Sequence, residues 1–213
     1  EGVQSMDNRK LVELLYGGDY KTIPQIEQAY PPRVLPEGAK VTRFAPSPTG
    51  FVHFGSLLPT RVSERLAHQS GGVFYLRIED TDSKRRVEGA EEDLIRTYSY
   101  FQIQFDEGTD AGEYGPYHQS ERADIYRAYA VKLLLEGRAY PCFATAEQLD
   151  GIRAQQEAAG EDPGYYGRWA VWRDADYAQV EAQVKAGAPF VIRFRSEGDP
   201  ARKFKFTDLV KGA

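Results

Sequence analysis

Three stretches carry the residues able to do chemistry. The first runs from Arg43 through two prolines, Pro46 and Pro48, to His53, Gly55 and Ser56. A short apolar strand, Val41 to Ala45, feeds a proline-stiffened loop, and a helix is expected to open at Ser56 or Thr60. A helix start offers N–H groups with no partner inside the helix. An imidazole and a small residue beside it suit an anion, most naturally a nucleotide phosphate. Gly55 lets a ligand lie against the backbone. The second stretch is the strand Val73 to Ile78, which ends in Glu79, Asp80 and Asp82. Clustered carboxylates suit a hard cation, a substrate ammonium or the cap of a following helix. Because strand side chains alternate, only one of Glu79 and Asp80 can face a shared pocket. Arg43 could grip a carboxylate with both arms of its guanidinium. The third is basic: Lys84, Arg85 and Arg86, with a further cluster at Arg202 to Lys205. Taken alone, each reads as a solvated charged face.

The elements around these residues read as an α/β protein. Strand, loop, helix and strand make a βαβ unit with its site at the carboxyl ends of parallel strands. The helix after the loop carries Leu58, Val62 and Leu66 at four-residue steps, which predicts a core face. Pro59 is expected in its first turn and Gly71-Gly72 at its end. Val73 to Ile78 reads as a strand buried on both faces, broken only by Arg77. A second helix is expected over Gly89–Phe101, with Leu94, Ile95, Tyr98 and Phe101 inward. Ser120 reads as the N-cap of a helix lined by Ile125, Tyr129 and Leu133 that stops at Gly137. Thr145 and Gln148 form a capping box. Tyr177 to Ala186 reads as helix, Phe190 to Arg195 as strand, and Phe204 to Val210 as a further strand. Met6 to Tyr16 predicts a short helix with Leu11, Leu14 and Leu15 on one side. The prolines at 31, 32 and 36 then make a surface strap.

The bulk composition narrows the classes. The chain has 213 residues, 41 % hydrophobic and 28 % charged, ordinary values for a globular protein able to bury a core. One cysteine, Cys142, excludes an internal disulfide and fits a reducing compartment. No apolar run approaches the roughly 20 residues that span a bilayer. The expectation is therefore a cytoplasmic protein with no membrane contact. The net charge of −5 argues mildly against a general nucleic-acid binder.

Order and spacing add what the single signals lack. Arg43-Phe-Ala-Pro-Ser-Pro-Thr-Gly50, His53-Phe-Gly-Ser56 and Leu76-Arg-Ile-Glu-Asp-Thr-Asp82 together resemble the glutamyl-tRNA synthetases, which are class I aminoacyl-tRNA synthetases. Gly115-Pro-Tyr-His-Gln-Ser-Glu-Arg122, Ala139-Tyr-Pro-Cys-Phe143, Gly164-Tyr-Tyr-Gly-Arg168 and Phe190-Val-Ile-Arg193 extend the resemblance over residues 34–213. It implies the first half of a Rossmann-type nucleotide-binding fold over 41–118. The start of an α/β connective insertion that cradles the tRNA acceptor end follows over 119–213, with 1–40 as an N-terminal extension.

The implied reaction is ATP-dependent activation of glutamate and its transfer to the 3′ end of tRNA(Glu). By position, Arg43, Ala45, Ser47 and Glu79 match residues that hold glutamate. His53, Gly55 and Ser56 match the catalytic signature that holds ATP, whose Mg²⁺ arrives with the nucleotide. Lys84, Arg85 and Arg86 become candidates for tRNA contact. Some members carry a zinc site, but Ala144 and Trp169 stand at two of its cysteine positions beside Cys142, so no zinc is expected. The resemblance also implies a longer, monomeric enzyme of which these residues are an incomplete part, inactive alone. Two other readings remain: a paralogue that glutamylates queuosine in tRNA(Asp), and a non-catalytic tRNA- or nucleotide-binding module.

Overall fold

The computed structural model describes residues 7–196, 198, 202–208 and 212. The chain divides into two compact units. One comprises residues 21–128, and the other comprises 1–20 together with 129–213.

The first unit is built on a βαβ core. Strand β1 (Val41–Phe44) pairs in parallel with β2 (Val73–Leu76), with Arg43 opposite Tyr75 and Phe44 opposite Leu76. Helix α3 (Phe54–Gln69) makes the crossover. Two further segments extend the parallel pattern as single bridges, Tyr75 to Glu107 and Ile78 to His118. Helix α4 (Ala90–Tyr100) opens at Gly89, whose φ of 75° suits a residue without a side chain. Phe74, Leu76, Ile78, Leu94, Tyr98, Ile103 and Ala67 form the core. Phe105 links its rings, stacked on Phe74 with centroids 4.9 Å apart. Close approach of β1 and β2 depends on Gly72: a Cβ there would stand 1.9 Å from the Lys40 carbonyl oxygen. A short helix, α2 (Ile23–Ala29), precedes the proline strap and has no counterpart among the expected elements.

Several expectations need correction. Helix α3 begins at Phe54, so Pro59 lies inside it rather than in the first turn. Its ring has no N–H to give the Gly55 carbonyl. The α3 face turned inward is Thr60, Glu64 and Ala67, whereas Leu58, Val62 and Leu66 are 70 %, 48 % and 47 % exposed. Four-residue spacing identifies a face but not the side on which the sheet lies. Here the inward polar groups find partners. Thr60 Oγ1 donates to the Ser56 carbonyl at 2.6 Å, and the Gln104 N–H donates to Glu64 Oε1 at 2.8 Å. Strand β2 is buried through Phe74 and Leu76, followed by Ile78, while Val73, Tyr75 and Arg77 are only half-buried. Phe101, at the end of α4, is exposed.

The second unit has its own core of Leu11, Val12, Val131, Leu134, Ala139, Phe143 and Val180. Helix α1 (Asn8–Tyr16) is capped by Asp7 and contributes Leu11 and Val12 to it; Met6 lies outside the described residues. Helix α5 (Ala123–Leu135), whose residues 129–135 belong to this unit, turns Val131 and Leu134 inward and leaves Tyr129 exposed, another correction of face. Ser120 is not its cap; it sits in a short 3₁₀ turn, Gln119–Arg122. Strands β3 (Ala139–Cys142) and β4 (Val191–Phe194) pair antiparallel, with Cys142 opposite Val191. Helix α6 (Ala146–Ala158) opens with the Thr145–Gln148 capping box, and α7 (Tyr177–Lys185) with one formed by Asp176 and Gln179. Residues 202–207 form no strand, and Leu209 and Val210 of the strand expected there fall outside the described residues.

Candidate functional site

The site is assembled at the carboxyl ends of β1 and β2, within the first unit. Beyond the strands the two segments stay in register as far as Pro46 and Glu79, and the bond from Val87 to Pro48 that follows lies outside that register. The Arg77 N–H donates to the Phe44 carbonyl at 3.0 Å, Glu79 to Pro46 at 2.8 Å and Val87 to Pro48 at 2.8 Å. The prolines supply carbonyls without needing a partner for an N–H, so the loop is pinned from one side only. This places Ala45 and Ser47 in a held segment beside Glu79. Ser47 is exposed, and its carbonyl accepts from the Thr49 N–H at 2.8 Å.

Arg43 and Glu79 meet directly: Arg43 Nη1 donates to Glu79 Oε1 at 2.9 Å. Both side chains remain about one-third exposed, at 36 % and 30 %. Asp80 leaves for a different partner, as strand alternation requires. Its carboxylate accepts from the Ser120 N–H at 2.9 Å and from the Ser120 hydroxyl at 2.7 Å. Burial pushes the Asp80 carboxyl up, but these two hydrogen bonds outweigh it and hold it below its ordinary range. Asp82 pairs with Arg85 Nε at 2.5 Å, and that guanidinium lowers its pKa. The three acidic side chains thus turn to separate partners. Among the described residues no group of three or more His, Cys, Asp or Glu side chains is placed to hold a metal ion.

His53 is the residue at which α3 opens, with extended backbone at φ −130°. Its ring lies over Gly55: a Cβ at position 55 would stand 3.0 Å from ring atoms Cε1 and Nδ1. The Ser56 N–H and hydroxyl both donate to the His53 carbonyl, at 3.0 Å and 2.8 Å. Tyr98 Oη then donates to Ser56 Oγ at 3.1 Å, anchoring the helix start to the aromatic core. His53, Gly55 and Ser56 therefore form one local unit at the open end of α3. Lys84, Arg85 and Arg86 are exposed around a 3₁₀ turn, Ser83–Arg85.

Two side-chain arrangements have no counterpart among the expectations. Arg77 Nη2 reaches Glu79 Oε1 at 3.5 Å. The signal was present: a lone arginine in an apolar strand, two residues before Glu79 and so on its face. The other is the clamp around Glu107. Arg33 binds it with both arms, Nη2 to Oε2 at 2.7 Å, and lies 3.7 Å from the centre of the Tyr114 ring. Tyr117 Oη donates to Glu107 Oε2 at 2.6 Å. Nothing in the local pattern around Arg33 links it to an acid 74 positions away.

In the second unit Cys142 is buried and unbonded to any other sulfur. Burial and the neighbouring Cys142 raise the Tyr165 phenol far above its ordinary value. The Arg193 guanidinium stacks over the Tyr165 ring at 4.3 Å.

Residues 40–213 match the family model described as tRNA synthetases class I (E and Q), catalytic domain. A glutamate–tRNA ligase of Acetivibrio thermocellus is 49 % identical over 212 residues, covering 97 % of this chain and 39 % of the relative. A glutamate–tRNA ligase of Clostridium perfringens is 48 % identical with the same coverage. Among solved structures, the glutamate-tRNA synthetase of Elizabethkingia anophelis superposes with a TM-score of 0.71 at 37 % identity, covering 82 % of this chain and 36 % of its own. The glutamate tRNA ligase of Elizabethkingia meningosepticum, crystallised in complex with its amino acid, gives a TM-score of 0.67 at 39 % identity, covering 75 % of this chain and 32 % of its own. The chain spans about 39 % of the length of the curated relatives it matches.

Proposed function

We propose, from the premise that this chain belongs to the family of class I tRNA synthetase catalytic domains for E and Q, that it carries the amino-acid and nucleotide half-site of a glutamate–tRNA ligase. The observation that carries the reading is the Arg43–Glu79 pair at the ends of adjacent parallel strands, beside the helix start held by His53, Gly55 and Ser56. An amino acid with a side-chain carboxylate presents both an anion and an ammonium. Arg43 and Glu79 offer the two complementary charges side by side and accessible to solvent.

The chemistry follows from placement. The glutamate α-carboxylate attacks the α-phosphorus of ATP, a P–O bond forms, and pyrophosphate leaves with the electron pair of the bond it breaks. No side chain acts as nucleophile; the site orients the reactants and stabilises phosphate charge. Arg43 takes the side-chain carboxylate, and Ser47 and Glu79 take the α-ammonium. Ala45 leaves room for the amino acid. Gly55 allows the nucleotide close to the backbone, His53 supplies a donor to it, and Ser56 braces that helix start through the His53 carbonyl. Mg²⁺ enters with ATP, held largely by phosphate oxygens. Transfer to the terminal ribose of tRNA(Glu) completes the reaction, and Lys84, Arg85 and Arg86 are the basic residues of this unit offered to tRNA phosphate. The second unit is offered to the acceptor end. A cytoplasmic location is part of the same reading, supported by the single unpaired cysteine. Among the described residues no helix is long and apolar enough to cross a membrane.

The test is tRNA-dependent ATP–pyrophosphate exchange by the full-length protein, with glutamate against glutamine. Arg43→Ala and Glu79→Ala should each lower glutamate activation by the equivalent of about 2–5 kcal/mol, since each leaves a charge unanswered. Normal glutamate activation by both variants would overturn the assignment.

A further inference from the structure

Two guanidiniums converge on a single oxygen. Arg43 Nη1 lies 2.9 Å from Glu79 Oε1, and Arg77 Nη2 lies 3.5 Å from the same atom. The two arginines differ in freedom. The Arg43 side chain is 36 % exposed, and that of Arg77 only 17 %. The Arg77 backbone is clamped to Phe44 and that of Glu79 to Pro46, so both side chains spring from fixed points on one strand face. Arg77 Nε is buried with no hydrogen-bond partner, as are Arg122 Nε and Arg193 Nε, and a buried donor left unmet costs free energy.

The charge count adds a second argument. One carboxylate between two guanidiniums leaves an excess of one positive charge in a half-buried niche. A substrate carboxylate answers that excess. To take it, Arg43 must give up at least part of its bond to Glu79. Glu79 would then lose its stronger partner at the moment it has to face the substrate ammonium. Arg77, on the same strand face as Glu79 and within reach of the same oxygen, can stay.

We propose that Arg77 is a positioning residue: it holds Glu79 through Oε1 when Arg43 transfers to the side-chain carboxylate of the substrate, so that the rest of the Glu79 carboxylate stays aimed at the substrate ammonium. The binding of an amino dicarboxylate thus proceeds by exchange of counter-ions, with Arg43 as the mobile partner and Arg77 as the fixed one. This inference rests on the glutamate-binding reading of the site.

The experiment separates the two with a pair of ligands. Glutamate carries two carboxylates and an ammonium; glutarate carries the carboxylates and no ammonium. In the full-length protein, Arg77→Met should raise the glutamate KM by about tenfold or more, the worth of a charge-assisted hydrogen bond. The glutarate inhibition constant and the ATP KM should stay within about twofold. Arg77→Lys, which keeps the charge and the stem, should recover part of the loss. In a Glu79→Gln background, Arg77→Met should add nothing further. Equal weakening of glutamate and glutarate would overturn the proposal, because Arg77 would then touch the carboxylate itself. So would an unchanged glutamate KM, or a parallel rise in ATP KM with a fall in melting temperature for both Arg77 variants. Failure of the underlying reading looks different: the wild-type protein would bind neither glutamate nor glutarate.

Discussion

Tyr98 and Ser56 are joined hydroxyl to hydroxyl at 3.1 Å, which ties the open end of α3 to the buried side of α4. Tyr98 is 1 % exposed, and its ring meets Phe44 and Phe105 edge-on. The ring therefore serves the core while its oxygen serves the site. Tyr98→Phe keeps the packing and removes the anchor. Ser56 retains its bond to the His53 carbonyl, so no buried group is orphaned. The expected loss is about 1 kcal/mol of stability, read from the urea midpoint at unchanged slope. An unchanged midpoint would mean the hydroxyl pair contributes nothing.

Glycines 72 and 151 should respond in opposite directions to alanine. At Gly72 a methyl group would collide with the Lys40 backbone, which cannot yield without parting β1 from β2. Overpacking of this kind costs about 3 kcal/mol. Gly151 lies inside α6 with nothing within 4 Å of a built Cβ. There, alanine removes a helix-weakening residue and should add about 0.5–1 kcal/mol. Thermal unfolding of the two variants checks both signs.

The Arg33–Glu107–Tyr117 clamp predicts two distinct pH limbs. Burial raises the Glu107 carboxyl, but Arg33 and Tyr117 outweigh it and hold its pKa below the ordinary 4.5. A carboxylate depressed on folding stabilises the protein above its unfolded pKa, and that contribution fades as pH falls through the folded value. Tyr117 goes the other way: burial and its bond to Glu107 push it up to about 12 from 10. Its contribution is whole below pH 10 and is lost as pH rises toward 12. Glu107→Gln should flatten the acid limb of the stability profile below about pH 4.5, and Tyr117→Phe the alkaline limb above about pH 10. A profile unchanged in both variants would show the clamp to be energetically idle.

Cys142 is 1 % exposed and lies beside the Tyr165 phenol. A buried thiol behaves as a small apolar group toward reagents. In the native protein a water-soluble disulfide reagent should label it only as fast as the second unit opens, with stoichiometric labelling in denaturant. Rapid labelling under native conditions would refute this burial.

What the sequence made legible follows the range of the signals. The βαβ order, the capping box at Thr145 and the opening of a helix beside His53 are local, set by turn residues and apolar periodicity within a few positions. The split of Glu79 from Asp80 followed from strand alternation alone. Arg33 reaching Glu107 was not legible, because a pairing across 74 positions leaves no local trace. Ser120 has the residue type of a helix cap, but Asp80 takes its hydroxyl and N–H, and only the fold brings Asp80 there.

Helix α3 shows the same lesson in energetic form and offers its own test. Its spacing of Leu58, Val62 and Leu66 reads as a core face, yet these residues are exposed, and Glu64, at 4 % exposure, faces inward. Glu64 is inward because it has two obligations: it pairs with Arg61 at 2.5 Å and accepts the Gln104 N–H at 2.8 Å, which together hold the turn after α4. Glu64→Leu would look favourable by hydropathy but leaves that N–H without its acceptor and Arg61 with only the Phe101 and Gln102 carbonyls. It should destabilise this chain by about 2–3 kcal/mol. Val62→Lys, made on the exposed face of the same helix, should change stability by no more than about 0.5 kcal/mol. Denaturant midpoints of the two variants, measured on this 213-residue chain, decide which face is inward. If Val62→Lys unfolds the protein while Glu64→Leu is tolerated, α3 is turned the other way and the anchoring of Ser56 falls with it.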